Sequence, residues 1–471
     1  MKRIFLVLTV AQLLASCGGK TSQTQEETSS DVTSSSITIT SGPYTDYGFE
    51  TYEQDDSINQ GLSSMKSRSN VKANEQDVSM WVKASSDLPF SQLASAVYYE
   101  NFISSGYNQQ SLLLTLFLGA DGNSASQLSN AIGIKSTPFE NNNELLLSSF
   151  NTLDQQINSN SSDENSNFTS STSLWGSQYY PFSVEFSDQA ASYLGANLHS
   201  VDFINQPEET TSIINDMTSS QTADRLSGAL ESDHLGIETA LIVSNTNNFN
   251  SAWRYPFPED NITLGEYWLS NEGTTVDVPI MNVSLDTLYY NDGTESIVAL
   301  PYENPDWTLY IVSSVNMFKH SQLIQSMNIE KLHAMIELMS LSSINLSIPK
   351  FSFSNKGYFT TTDISDLFDK KLANLSALHG ELESKLFVRS TAVNDTIELN
   401  EQGLHYSSAA HFIIEQKPVH LNTQALNFSA WESASIGRNG THLGINGPFL
   451  FFLYHNPSQT VLVAGNLVDP R

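Results

Sequence analysis

The stretch "DTIELNEQGLHYSSAAHF", residues 395–412, constrains the fold more than any other. "DTIELNEQG" alternates apolar and polar residues, the pattern of a half-buried strand. A glycine follows, then the small residues "SSAA", then more than thirty mostly polar residues before "GPFLFFLYH" opens another apolar strand. Connections of that length are uncommon in compact domains and usually carry function or lack structure. The chain must therefore place a strand beside a long segment whose small residues suit close packing.

The chain has 471 residues, enough for one large domain or two modest ones, and its 39% apolar content supports a sizeable core. Lys plus Arg number 21 against 51 Asp plus Glu, a net charge of -30. That field repels nucleic acid and anionic membrane surfaces, which excludes nucleic acid as a partner. The plainest use of the charge is solubility.

Only one cysteine is present, Cys17, so no internal disulfide and no cysteine metal cluster can form. It ends "MKRIFLVLTVAQLLASC", with a positive start, an apolar run and small residues at the close. That is a secretory signal too short for an ordinary membrane span. Leu14-Ala15-Ser16-Cys17 resembles a bacterial lipobox. The resemblance implies cleavage before Cys17, acylation of it, and a protein exported and lipid-anchored to a bacterial membrane, facing the periplasm or the cell surface. Residues 1–16 are then the signal peptide, and residues 17–75 an acidic Ser/Thr-rich linker too poor in apolar residues to fold.

From about Gln76 the pattern is that of a folded α+β domain over residues 76–471. "SLLLTLFLGADGNSASQLSNAIGI" predicts an apolar helix, a turn and a second helix starting at Ser124 to Ser126. "HSQLIQSMNIEKLHAMIELMS" has helical spacing. "IETALIVSNTNNF", "SIVALPYE", "WTLYIVSS", "INLSIPKFSFS" and "FLFFLYH…TVLVAGNLV" predict strands. Helices gather in the first half and strands in the second, which predicts helices packed on large, mostly antiparallel sheets.

Catalytic signatures are thin. There is no Gly-rich phosphate loop, no His-Glu-x-x-His and no Gly-x-Ser-x-Gly elbow. The ten histidines have no metal-ligand spacing. His405 and His411 flank the small-residue run and read as solvated loop residues. An enzyme is the weakest reading, and no metal or cofactor is implied.

An ordered series of segments resembles the serpins, a family of protease inhibitors. "NFISSGYNQQSLLLTLFLGADGNSASQLSNAIGI", "VDFINQPEETTSIINDMTSSQTADRL", "LIVSNTNNFNSAWRYPF", "NEGTTVDVPIM", "IVALPYE", "LSIPKFSFS", "ANLSAL" and "GPFLFFLYHNPSQTVLVAGNLVDP" occur in family order and at family spacing. The resemblance implies a monomer with an exposed reactive loop. A target serine or cysteine endopeptidase cuts the loop, and the freed hinge inserts into the central sheet and traps the protease as an acyl-enzyme. The alternative is a non-inhibitory surface binding protein of the same fold, whose loop does not insert.

On this resemblance the hinge comprises Glu401, Gly403, Leu404, Tyr406, Ser407, Ser408, Ala409 and Ala410. Gly403 gives a backbone that changes conformation at low cost. By strand alternation Leu404, Tyr406, Ser408 and Ala410 share one face, the inward one. Small residues slip between packed neighbours, whereas Leu404, His405 and Tyr406 are larger than the family pattern. Tyr406 is the main obstacle, since its ring needs room in a close-packed interior. Ser104, Asn245 and Trp253 match the sheet-opening region, with Tyr107 replacing a second Ser. Val393 stands where the family has a His that bonds to the Asn, and Asn282 where it has the Lys partner of Glu401. The loop from Gly403 to Pro448 is roughly twenty residues longer than the family norm. Candidate scissile bonds are Lys417-Pro418, Phe428-Ser429 and Arg438-Asn439.

Overall fold

Every residue of the run Gly106–Gly119 is buried, the apolar stretch from Leu112 and the polar Asn108, Gln109 and Gln110 alike. A helix of that kind belongs in the middle of a protein rather than on its surface. Ser105 caps its N-terminus by accepting from the Asn108 N–H at 3.0 Å. The computed structural model describes residues 58–471 apart from 97–98, 159–167, 228–229, 232–234, 358–361, 380–385 and 417–442.

In chain order the first half contains β1 (Ile58–Gln60), α1 (Glu75–Ser85), α2 (Asp87–Ser95), β2 (Phe102–Ser105), α3 (Gly106–Gly119), α4 (Gly122–Ala131) and α5 (Asn143–Ile157). Then come β3 (Phe168–Ser177), β4 (Pro181–Ser183), α6 (Val184–Tyr193), β5 (Asn197–Val201), α7 (Pro207–Gln221) and β6 (Thr239–Ala252). The second half adds β7 (Ile262–Leu269), β8 (Thr274–Asn291), β9 (Glu295–Pro301), β10 (Trp307–Ser314), α8 (His320–Ser326), α9 (Ile329–Glu337), β11 (Ser340–Pro349) and β12 (Phe351–Gly357). It closes with β13 (Leu386–Leu399), β14 (Gly403–Gln416), β15 (Leu443–Gly444), β16 (Phe449–His455) and β17 (Thr460–Leu467).

Two large sheets organise these elements. A nine-stranded sheet runs β15-β11-β8-β9-β10-β16-β17-β2, with β7 on β8. A six-stranded sheet runs β12-β13-β14-β6-β3-β5. All pairings are antiparallel except β3 with β5 and β11 with β15. α3 lies between the sheets and packs against β6, β14 and β17. The main core joins it to both sheets, through Leu112, Leu116, Val243, Phe249, Phe449 and Phe451 among others. The fold is α+β, as the sequence pattern predicts.

Three expectations change. The linker does not reach residue 75. Ile58–Gln60 pair with β4, Leu62 enters the core, and Arg68 forms an ion pair with Asp154 at 2.5 Å. A Ser-rich segment can dock in this way when one apolar residue and one charge find fixed partners. The second helix starts at Gly122, because Asp121 rather than a serine caps it. The helical stretch 320–337 is split in two, because Asn328 turns out of helix and caps α9 by accepting from the Lys331 N–H.

Candidate functional site in the six-stranded sheet

The segment from Gly403 to Gln416 is not an exposed loop here. It forms β14 and fills the middle of the six-stranded sheet, antiparallel to β13 on one side and β6 on the other. The register runs from Leu404 opposite Leu399 and Ser251 to Ile414 opposite Val388 and Leu241. Both edges of the strand's backbone are thus paired. Gly403 is required by space as well as by flexibility, since a Cβ there would lie 2.1 Å from the Ser251 carbonyl oxygen.

The inward face of β14 is Leu404, Tyr406, Ser408, Ala410, Phe412 and Ile414, all buried. Tyr406 does not obstruct burial. Its ring is fully buried in the main core and its hydroxyl donates to Asp395 Oδ1 on β13 at 2.7 Å. A buried hydroxyl with a carboxylate acceptor is well satisfied. Asp395 lies directly across from Ser408 in the ladder. Burial pushes its carboxyl up to about 6, against the opposing hydrogen bonds from Tyr406 and Ser408. Desolvation, and then the nearby Asp395 charge, push the Tyr406 phenol well above its ordinary value.

Beneath these groups lies a polar layer from α3, β2 and β6. The Asn108 side-chain amide donates to Ser408 Oγ at 3.1 Å and to the Asn245 carbonyl at 3.0 Å. The Asn247 amide donates to Ser105 Oγ at 3.1 Å. Asn245 donates to Thr172 Oγ1 at 2.9 Å and to Ser170 Oγ at 3.3 Å, taking its partners from β3. Val393 supplies no polar partner. It sits opposite Ala410 and packs against the core.

The outward face is covered as well. Ser407 Oγ donates to Asn248 Oδ1 at 2.9 Å, and Ile413 packs with Trp175, Ile242 and Ile214, the last from α7. Ala409 is fully buried. His411 is not a solvated loop residue. It is buried with Nδ1 2.9 Å from Ser244 Oγ, and burial pulls its pKa down to about 4. His405 is half-buried, and desolvation followed by the Arg225 charge lowers its pKa.

At the Gly403 end, Trp253 is buried, stacks on Tyr302 with centroids 4.7 Å apart, and donates from Nε1 to the Asn400 carbonyl at 2.9 Å. Glu401 does have a lysine partner: Lys350 Nζ lies 2.8 Å from its carboxylate and holds its pKa below the usual range. Asn282 instead donates to the Asn261 carbonyl and accepts from Ser347. Ser104 faces away from the strand, bonded to Gln92 and Gln109, and Ser105 is the serine under β14. Tyr107 donates to Asp154 on α5. Sequence reasoning missed Asp395, Asn108, Ser105 and Lys350. Only Asp395 left a signal, as a carboxylate at an inward position of an alternating strand.

The scissile-bond candidates Lys417, Pro418, Phe428, Ser429, Arg438 and Asn439 lie outside the described residues, as does Cys17. Among the described residues no group of three His, Cys, Asp or Glu side chains stands together to hold a metal ion.

A six-stranded sheet whose central strand precedes the C-terminal hairpin, backed by a buried helix and a second large sheet, defines the serpin fold. The profile of the family described as serpin (serine protease inhibitor) matches residues 87–470, and the chain belongs to that family. Serpin B10 of Papio anubis is 24% identical over 403 residues, covering 80% of this chain and 96% of its own length. Leukocyte elastase inhibitor of Equus caballus is 25% identical over 381 residues, covering 79% and 93%. A loop-inserted structure of a cleaved ovalbumin mutant matches with a TM-score of 0.69 at 20% identity, covering 84% of this chain and all of that one.

Proposed function

We propose that this protein inhibits serine endopeptidases, with cysteine endopeptidases as a second target class, by cleavage of the loop after β14 and insertion of β14 into the sheet. The observation that carries this reading is the fit of Gly403–Gln416 between β13 and β6, paired on both edges and buried on both faces. A loop unable to insert, as the binding-protein alternative requires, would not find Tyr406, Ser407, Ser408 and His411 each matched with a polar partner. In this mechanism the protease serine attacks a loop carbonyl and holds the hinge side of the cut loop as an acyl ester. Insertion of β14 then carries the protease to the far end of the sheet, and the exchange of strain for a completed sheet drives the step. The protein acts as a monomer without a cofactor, exported and anchored through Cys17 to a bacterial membrane.

The test is incubation of freshly refolded protein with a panel of serine and cysteine proteases, read on a denaturing gel. The expected result is a complex that survives denaturant with at least one protease. Cleavage by every protease that cuts the loop, with no complex, would overturn the reading.

A further inference from the structure

The last rungs of β14 lie where both neighbouring strands carry a bulge. On β13 the pairing passes from Ser390 opposite Ile413 to Val388 opposite Ile414, so Arg389 has no residue across from it. On β6 it passes from Leu241 opposite Ile414 to Thr239 opposite Glu415, so Ala240 is skipped. A bulge adds one residue to a strand and re-aims a side chain. Here the added residue on β13 is an arginine, and its Nη1 donates to Glu415 Oε1 at 2.8 Å. One residue further on, the Gln416 N–H donates to the Glu238 carbonyl at 2.7 Å and ends the strand.

Glu415 is the sole carboxylate of β14. Its side chain is 8% exposed and that of Arg389 42%, so the acid lies inside and the arginine reaches it from the surface. Buried Phe387 stands directly opposite Glu415 on β13, and Lys370 Nζ lies 5.0 Å from the centre of its ring. Burial pushes the Glu415 carboxyl up. Arg389 opposes that rise, with Glu238 adding to it and Lys370 working against it. Taking one partner from a buried pair leaves an uncompensated charge.

The pair is also satisfied in one register alone. The two residues before Glu415 are both isoleucine, Ile413 and Ile414, so an apolar tail by itself tells neighbouring registers apart poorly. A slip of one residue moves Glu415 to the inward face, away from Arg389 and against the core.

We propose that Arg389 is a positioning residue: presented by the β13 bulge, it receives Glu415 and fixes the register in which the tail of β14 seats at the end of the sheet. This deepens the inhibitor reading and rests on it, because a trapped protease is carried the full length of the sheet only when the tail seats completely.

The experiment is hydrogen exchange with mass spectrometry on the full chain after a single nick in the loop that follows β14, with both pieces retained. Protection of residues 404–408 and 413–416 is compared in the unaltered chain, Arg389→Met and the double variant Arg389→Met/Glu415→Gln. In the unaltered chain both segments should be as protected as β13. At about pH 7.5, Arg389→Met should lower the protection of 413–416 about tenfold or more and leave 404–408 unchanged. Burial holds the Glu415 carboxyl above its ordinary value, so the missing cation is felt only as the group ionises, and the loss should fade by about pH 5. The double variant, with no charge left to bury, should regain the protection at both pH values. Undiminished protection in Arg389→Met would overturn the proposal. So would a loss that persists both at low pH and in the double variant, since that would leave Arg389 a packing role alone. Rapid exchange along all of β14 in the nicked, unaltered chain would overturn the insertion reading itself, and the proposal with it.

Discussion

β14 and the β16–β17 hairpin are both buried inside large sheets, yet they are built from opposite materials. β16 is "FLFFLYH", every residue buried, and Gly465 on β17 leaves the space that the Phe451 ring fills. β14 is "GLHYSSAAHFIIEQ", nearly as enclosed, but it places Tyr406, Ser408 and His411 against matched polar partners. An apolar strand of that length would be driven from water in any state, whereas a polar and small-residue strand tolerates water and is satisfied in the sheet only where partners wait. The hairpin thus belongs to the permanent core. On the proposed mechanism, β14 is a strand with two homes. Changes in the hairpin should weaken the whole fold, and changes in β14 should weaken only the inserted form.

The largest effect should come from Phe452→Ala, which removes a fully buried ring packed against Phe90 at 5.5 Å. A loss of about 3–5 kcal/mol in urea unfolding is expected, equal in uncut and nicked protein. A loss confined to one of the two forms would break the comparison.

Ala410→Glu comes next. Its carboxylate would be buried between Val393 and Asn245, with no cation beside it. The fold should persist, because the variant can leave β14 outside the sheet, but the uncut chain should melt lower and form no denaturant-resistant complex with proteases. Melting unchanged from the unaltered chain would show that β14 contributes nothing to the sheet.

The pH dependence sharpens the same contrast. Asp395 titrates at about 6 in the inserted form, above the ordinary value of 3.8. The inserted form therefore binds the proton more tightly than the unfolded chain does. This stabilising contribution is complete below about pH 4 and is lost as pH rises through about 6. Tyr406→Phe removes a donor that favours the ionised carboxylate, so its cost of about 1–3 kcal/mol should be largest at pH 8 and shrink toward pH 5. A cost that grows on acidification would contradict the assigned geometry.

The smallest effect is expected at the head of the strand. Lys350→Met removes the partner of Glu401, but Lys350 is 39% exposed, so screening limits the loss to under about 1 kcal/mol. Its sign is opposite to that of Asp395. Glu401 is held below its ordinary range, so the pair stabilises at neutral pH and fades as pH falls.

The same contrast explains what the sequence revealed. β16 and β17 are legible because continuous apolar runs leave no other home for them. The alternation that puts Leu404, Tyr406, Ser408 and Ala410 inward is legible because it needs only local periodicity. The burial of both faces of β14 is not, since Ser407 and His411 are satisfied by β6 residues more than a hundred positions away. Tyr406 reads as an obstacle until Asp395 is placed opposite it, and Asn282 stands in for a lysine only until Lys350 is seen to reach Glu401. The docked segment 58–74 hides for a similar reason, since its anchors Leu62 and Arg68 are isolated among polar residues.

The most direct test of the two-home account is thiol labelling of the uncut chain. Cys17→Ser removes the native thiol, and Ala410→Cys places one reporter on the inward face of β14, where the native side chain is 1% exposed. The account predicts that the thiol at position 410 reacts with a maleimide at least about a thousandfold more slowly in the folded chain than in the denatured one. Labelling within about tenfold of the denatured rate would place position 410 in solvent and contradict the account.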